Sequence, residues 1–115
     1  MDAEVTLGKW EIKFYESARG ERIVESYLSS LDYPTRSKLA RLMDLLEKYG
    51  PSLGMPYSKI ILSGLYELRV RGKSEIRVFY TFKDKFAYFL HAFKKQTQKT
   101  PAKEIEIAEQ RLTSI

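Results

Sequence analysis

The spacing of apolar residues predicts four β-strands. After Gly64, the side chains of Tyr66, Leu68 and Val70 alternate with charged neighbours, which is typical of a strand with one buried face. The last candidate strand is instead apolar almost throughout. The four segments that we interpret as strands are residues 9–16, 65–71, 74–82 and 86–93.

A spacing of three to four residues predicts helices between the first strand and the other three. In residues 20–31, Ile23, Tyr27 and Leu31 lie on one stripe, as expected of an amphipathic helix. A second helix follows Asp32, a candidate N-terminal cap, and ends at Gly50, where glycine and proline stop it. Its apolar stripe contains Leu39, Leu42, Met43, Leu46 and Tyr49. Pro101 opens a last helix and is expected in its first turn.

These elements predict a single α+β domain over residues 1–115, in the order β-α-α-β-β-β-α. The links at residues 72–73 and 83–85 are short enough for hairpins, so the last three strands are expected to form an antiparallel sheet. The sheet is expected to pack against the two N-terminal helices, with residues 52–58 as a loop. Its opposite face would carry the arginines Arg69, Arg71 and Arg77, and would therefore be solvated or covered by an anionic partner.

Composition agrees with a packed domain that works inside the cell. Hydrophobic residues make up 43% of the 115 residues and charged residues 30%, close to the average of globular domains. There is no cysteine, which excludes disulfides, thiolate metal sites and a cysteine nucleophile. No apolar stretch reaches the roughly 18 residues of a membrane-spanning helix, and the acidic start does not match an export signal. We therefore expect a cytoplasmic protein.

The basic residues are concentrated in one segment. Residues 59–103 contain eleven basic and three acidic residues, a net charge of +8, within a chain whose total is +5. A positive surface of this kind attracts polyanions such as RNA. A solubilising lysine surface would give the same count, so charge alone does not decide between the two.

Most catalytic signatures are missing from the sequence. It has one histidine, no glycine-rich phosphate loop and no Gly-x-Ser-x-Gly motif. The remaining candidates are arginines, lysines and His91 on the sheet, which suit phosphodiester binding and transition-state stabilisation. Each also has a structural interpretation: the arginines and lysines as solvated positions, and His91 and Tyr80 as core residues.

Several short motifs together resemble a known family. They are Leu65-Tyr66-Glu67-Leu68-Arg69-Val70-Arg71, Arg77-Val78-Phe79-Tyr80, Leu90-His91-Ala92-Phe93-Lys94-Lys95, Gln98-Lys99-Thr100-Pro101 and Glu104-Ile105-Glu106-Ile107-Ala108. In this order and spacing they are similar to the RelE superfamily, and most closely to its phage-derived, HigB-like branch. The resemblance covers residues 10–112.

The resemblance implies the toxin of a type II toxin–antitoxin pair, which cleaves mRNA on the ribosome without a metal or cofactor. It implies that the 2′-hydroxyl attacks the adjacent phosphate. It also implies a cognate antitoxin, expected to be a helix-turn-helix protein from the same operon, and no membrane partner. The catalytic positions implied are Arg69, Arg71, Arg77 and either Lys94 or Lys95, of which we take Lys94 as catalytic. We add His91 as a candidate general base. We assign RNA binding to Lys73, Lys95 and Lys99.

Two questions stay open at the sequence level. The general base is unassigned, because arginine remains protonated and His91 would serve only if its ring faced the arginines. The alternative function is a non-catalytic RNA- or protein-binding module on the same fold. We expect Arg69, Arg71, Arg77 and Lys94 to converge on one concave positive surface near His91. Arg77→Ala is expected to abolish cleavage with little effect on the thermal midpoint.

Overall fold

A computed structural model describes residues 10–115, which form one five-stranded sheet with helices on both faces. The strands are β1 Glu11–Phe14, β2 Ser58–Leu62, β3 Leu65–Arg71, β4 Glu75–Lys83 and β5 Phe86–Lys94. The helices are α1 Ile23–Ser29, α2 Tyr33–Tyr49 and α3 Ala102–Leu112, with a 3-10 turn at Gly50–Ser52. The predicted α+β class is therefore confirmed. Lys9, the first residue of the predicted N-terminal strand, and the rest of residues 1–9 lie outside the described residues.

The strand order is β1-β5-β4-β3-β2. The last three strands form the predicted antiparallel meander through two hairpins. β1 pairs with β5 in the parallel direction. The two helices lead from β1 to β2 at the opposite edge, and β2 to β5 then follow as successive antiparallel neighbours. The sheet is thus mixed, with β1 and β2 at its edges.

The second strand was not predicted from the sequence. Residues 58–62 read Ser-Lys-Ile-Ile-Leu, and their three consecutive apolar residues do not alternate, so the period of two is absent. Ser58, predicted as the end of a loop, instead opens β2 and pairs with Leu68 of β3. The turn between the two strands contains Gly64 at φ +80°, a conformation that glycine adopts without strain.

The limits of α2 follow the predicted signals. The Asp32 carboxylate accepts hydrogen bonds from the Thr35 amide at 3.0 Å and from its hydroxyl at 2.8 Å, which caps the helix. These bonds hold the pKa of Asp32 below its usual value. Gly50 ends the helix at φ +56°. Pro101 stands at the N-cap of α3 rather than in its first turn, a shift of one position from the prediction.

Each face of the sheet has its own apolar core. α1 and α2 cover one face, where Leu46, Val78 and Phe89 are buried. α3 covers part of the other face, around Phe79 and Ala108. The expectation that this second face is solvated or covered by an anionic partner is therefore wrong where α3 packs on β5 and β4, whereas Arg71 on β3 remains exposed. Among residues 10–115, no helix has the length and apolar character needed to cross a membrane.

Candidate functional site

A network of arginines and glutamates joins β3 and β4 on the α3 side of the sheet. Arg69 pairs with Arg77, and Arg71 pairs with Glu75, so these side chains share one face. Arg69 Nε lies 3.2 Å from Glu67 Oε1, and Arg77 Nη1 lies 3.0 Å from Glu75 Oε1. Longer contacts complete the network: Arg77 Nε to Glu67 Oε2 at 3.6 Å, and Arg71 Nη1 to Glu75 Oε1 at 3.8 Å. The two carboxylates therefore bridge the three arginines.

Exposure within this network increases from Glu67 towards Arg71. The side chains of Glu67 and Arg77 are 3% and 6% exposed, whereas that of Arg71 is 59% exposed. Within residues 10–115, the buried Arg77 Nε donor has no hydrogen-bond acceptor. A buried cation depends on its partners, so the expectation that Arg77→Ala leaves the thermal midpoint unchanged conflicts with the structure. Arg71 is the arginine of this network that solvent and ligands reach most freely.

His91 lies on the same face, but α3 holds its ring. It pairs with Phe79 on β4 and is therefore diagonal to Arg77. Its Nε2 lies 2.6 Å from Glu104 Oε1 on α3, and its ring stacks on Phe93. Burial lowers the pKa of His91, although the bond to Glu104 opposes the shift. A neutral imidazole that donates Nε2–H to this carboxylate joins β5 to α3.

The predicted lysines gather where β3 and β5 end and β4 begins. Lys94 pairs with Ile76, whose side chain packs under α1 and α2, so Lys94 points away from the face of Arg77. The Lys95 amide donates to the Glu75 carbonyl at 2.7 Å, which places Lys95 beside the partner of Arg71. Lys73 lies two residues beyond Arg71, in the β3–β4 turn. We call this group the basic end of the sheet; it consists of Arg71, Lys73, Lys94 and Lys95.

The prediction that these residues converge on a single concave surface is therefore wrong, because they lie at three separate locations. Arg69 and Arg77 belong to the ion-pair network on the α3 side of the sheet. His91 is hydrogen-bonded to α3 through Glu104. Arg71 and Lys94 lie in the basic end, at the end of the sheet. Lys99 is also exposed, in the loop before α3. Strand parity predicted the shared face of the arginines. It did not predict Lys94, because Lys94 has the opposite parity from Phe93, the residue that pairs with Arg77.

A groove between α2 and β3 adds basic residues that were missed in the sequence. Its basic lining residues are Lys38, Arg41, Arg69 and Arg71, and its volume is about 260 Å³. Lys38 Nζ donates to the Arg71 carbonyl at 2.8 Å, which joins the helix to the strand. Lys38 and Arg41 are three residues apart and thus share a helix face. That spacing was the available signal, but only the fold shows that this face borders Arg71. We call this feature the α2–β3 groove.

Fold and site together define a small α+β domain, compatible with a RelE-like fold, whose sheet carries a bridged arginine network beside an exposed basic end. Residues 26–113 match the family described as Phage derived protein Gp49-like (DUF891). The chain belongs to this family, which is associated with RelE-like toxins. A search of curated proteins found no match. In the part of the chain that the structure describes, no three His, Asp or Glu residues cluster so as to hold a metal ion.

Proposed function

We propose that this protein is the toxin of a type II toxin–antitoxin system, of the HigB-like branch, and that it cleaves mRNA on the ribosome. Membership of a family associated with RelE-like toxins supports this proposal. The observation that carries it is the pair Arg71 and Arg77, which share one oxygen of Glu75. The shared carboxylate holds the exposed Arg71 guanidinium at the basic end of the sheet, where an RNA phosphate has access.

In the proposed reaction, the 2′-hydroxyl of one nucleotide loses its proton and attacks the adjacent phosphorus. The 5′-oxygen leaves and takes up a proton, so the products are a 2′,3′-cyclic phosphate and a 5′-hydroxyl. Arg71 would neutralise the charge that builds on the phosphate oxygens, and its guanidinium can contact two of them at once. Lys94, whose side chain lies on the opposite face of the sheet, would instead contact the RNA backbone at the end of the sheet. Arg69 and Arg77 would not contact the phosphate. They would hold Glu67 and Glu75 in position, and Glu75 would orient Arg71.

The general base remains unassigned in this proposal. Arginine stays protonated and does not accept the hydroxyl proton. His91 has a depressed pKa, which favours a neutral ring, but its Nε2 is bonded to Glu104. For His91 to accept the proton, its ring would have to use Nδ1 or leave α3. This bond is the observation that favours the second candidate function, a non-catalytic RNA- or protein-binding module on the same fold.

The proposed partners are the ribosome with its mRNA and an antitoxin. The antitoxin is proposed to be a helix-turn-helix protein encoded beside this chain. An acidic antitoxin would complement the +8 segment, since complementary charge favours association. Lys73, Lys95 and Lys99 would contact RNA. The Lys95 ammonium also donates to the carbonyls of Thr97 and Gln98 at 2.8 Å, so its hydrogen bonds to RNA would compete with these.

The test is a cleavage assay with purified ribosomes and a defined mRNA. The parent chain should produce fragments that end in a cyclic phosphate. Arg71→Ala should cleave about 10²–10³-fold more slowly, the usual effect of losing one contact to a developing charge. Lys83→Ala is the control, because Lys83 is exposed at the end of β4 away from the basic end. Cleavage by Arg71→Ala at the parent rate would refute the proposed site, and no cleavage by the parent chain would leave the binding-module function.

A further inference from the structure

The α2–β3 groove is lined by basic residues, and those from α2 have no role in the proposed catalytic step. Among residues 10–115, four of its lining residues are basic and none is acidic. Arg69 and Arg71 also contact Glu67 and Glu75 on the α3 side of the sheet, so the unpaired charge comes mainly from α2. Two of the four basic residues, Lys38 and Arg41, come from α2. Among residues 10–115, neither forms an ion pair with a carboxylate within 4.0 Å. The groove therefore presents charge that an anionic ligand would complement.

The rest of the groove is apolar and includes an exposed aromatic ring. These lining residues are Leu42, Leu45, Pro56 and Tyr57. Tyr57 is 41% exposed, and its carbonyl accepts from the Arg69 amide at 2.9 Å, which fixes its backbone to β3. An exposed ring on a fixed backbone, in a groove that also has basic lining residues, suits a ligand with both a flat π-surface and a negative charge.

We propose that the α2–β3 groove binds one nucleotide of RNA, with its base against Tyr57 and its phosphate against Lys38 and Arg41. The inference rests on the proposed function, which supplies RNA as the ligand. The groove shares Arg71 with the basic end of the sheet. An RNA strand that places its cleaved phosphate at Arg71 therefore has a neighbouring nucleotide within reach of the groove, which becomes a candidate determinant of base preference.

The dimensions of the groove favour a nucleotide over an acidic peptide. A volume of about 260 Å³ is below the roughly 300–1,000 Å³ of pockets for drug-sized ligands, and suits one base. An amphipathic peptide helix would need a longer apolar surface, because its anchoring residues recur over at least two turns. Binding of an acidic peptide is therefore the competing outcome of the test.

The experiment measures binding of a fluorescein-labelled single-stranded RNA of about ten nucleotides, without ribosomes, by fluorescence anisotropy at several salt concentrations. Tyr57→Leu should weaken binding about 5- to 100-fold through lost stacking, with little change in the salt dependence. Arg41→Gln should weaken binding and reduce the slope of log K against log salt by about 0.7, the value for one phosphate on a single strand. Both residues are exposed, so the thermal midpoints should stay near that of the parent.

The matched controls are Tyr49→Leu and Lys48→Gln. Both residues belong to α2, and the Lys48 ammonium lies 6.0 Å from the centre of the Tyr49 ring. Neither residue lines the groove. Both should bind RNA like the parent. Binding of a fluorescein-labelled polyglutamate peptide is measured in the same way. The proposal is overturned if Tyr57→Leu and Arg41→Gln bind RNA like the parent, including the case in which they lose only the binding of this peptide. The binding assay is independent of the cleavage assay with ribosomes. Groove-dependent binding without cleavage in that second assay would refute the enzyme function and leave the groove assignment intact.

Discussion

Arg77 illustrates how a charged side chain becomes part of the core in this protein. It pairs with Phe93 on β5 and with Arg69 on β3, at the middle strand of the sheet. Glu75 lies at 3.0 Å and Glu67 at 3.6 Å from its guanidinium nitrogens. These carboxylates offset the cost of burying the cation, and they also connect it to the exposed Arg71 through Glu75.

Arg77→Ala is expected to destabilise the protein. The substitution removes a buried cation and leaves Glu67, whose side chain is 3% exposed, with only Arg69 as its ion-pair partner among residues 10–115. Breaking a buried pair in this way costs about 3–5 kcal/mol, so the thermal midpoint should fall by roughly 10 °C or more. Differential scanning calorimetry of the parent and the variant measures the shift.

Arg71→Ala serves as the control in that experiment, because its side chain is largely exposed and its contact to Glu75 is long. Its stability should stay within about 0.5 kcal/mol of the parent. Equal midpoints for Arg77→Ala and the parent would mean that the buried network does not contribute to folding. If instead Arg77→Ala is destabilised and Arg71→Ala is not, a loss of cleavage in Arg71→Ala cannot be attributed to unfolding.

At the scale of single residues, the sequence predicted the arginines but not their partners. The alternation of β3 places Arg69 and Arg71 on one face, and this is visible from parity alone. Which carboxylates reach Arg71 and Arg77 depends on the register with β4, which brings Arg77 opposite Arg69 and Glu75 opposite Arg71. Register depends on turn geometry and long-range packing, so the ion pairs were not accessible from the pattern.

At the scale of elements, the junction between α2 and β1 depends on one glycine. Gly50 has φ +56° at the end of α2, and a Cβ on this residue would clash with the indole ring of Trp10. Trp10 in turn packs edge-on against Phe82, with ring centroids 4.9 Å apart. Because Gly50 has no side chain, the end of α2 can pack directly against Trp10, the residue that precedes β1.

Gly50→Ala should therefore destabilise the protein more than Gly64→Ala does. Both residues have positive φ, which costs an alanine about 1–2 kcal/mol, but a Cβ at Gly64 meets no atom within 4 Å. Gly50→Ala should lose a further amount of about 1–3 kcal/mol through the overpacked contact with Trp10. Urea denaturation of the two variants measures the difference. Equal losses would show that the Trp10 ring moves aside without cost.

The elements that the sequence predicted are those with strong periodicity or strong end signals. α2 has both, and the structure confirms its cap at Asp32 and its end at Gly50. β2 has neither, because its strand character comes from pairing with β3 rather than from alternation. Its Ile60 remains 64% exposed, as an edge strand permits. Strand propensity depends on such context, which a single sequence does not contain.

At the scale of the whole molecule, the charge distribution follows the sheet. The +8 segment of residues 59–103 includes β3, β4 and β5. Folding neutralises Arg69 and Arg77 within the sheet and leaves Arg71 and three lysines at one end. Part of the positive surface that the count predicted therefore lies at the basic end. The other five lysines of the segment are exposed outside it; they are Lys59, Lys83, Lys85, Lys99 and Lys103.

Induced expression in a bacterial host tests the toxin proposal most directly. Growth and the 5′ ends of cellular mRNA are measured for the parent chain and for Arg71→Ala at matched soluble levels. The parent chain should stop growth and create new 5′ ends within coding regions, while Arg71→Ala should do neither. Normal growth and unchanged mRNA ends, in cells that contain soluble, folded parent protein, would contradict the proposal that this chain is an mRNA-cleaving toxin.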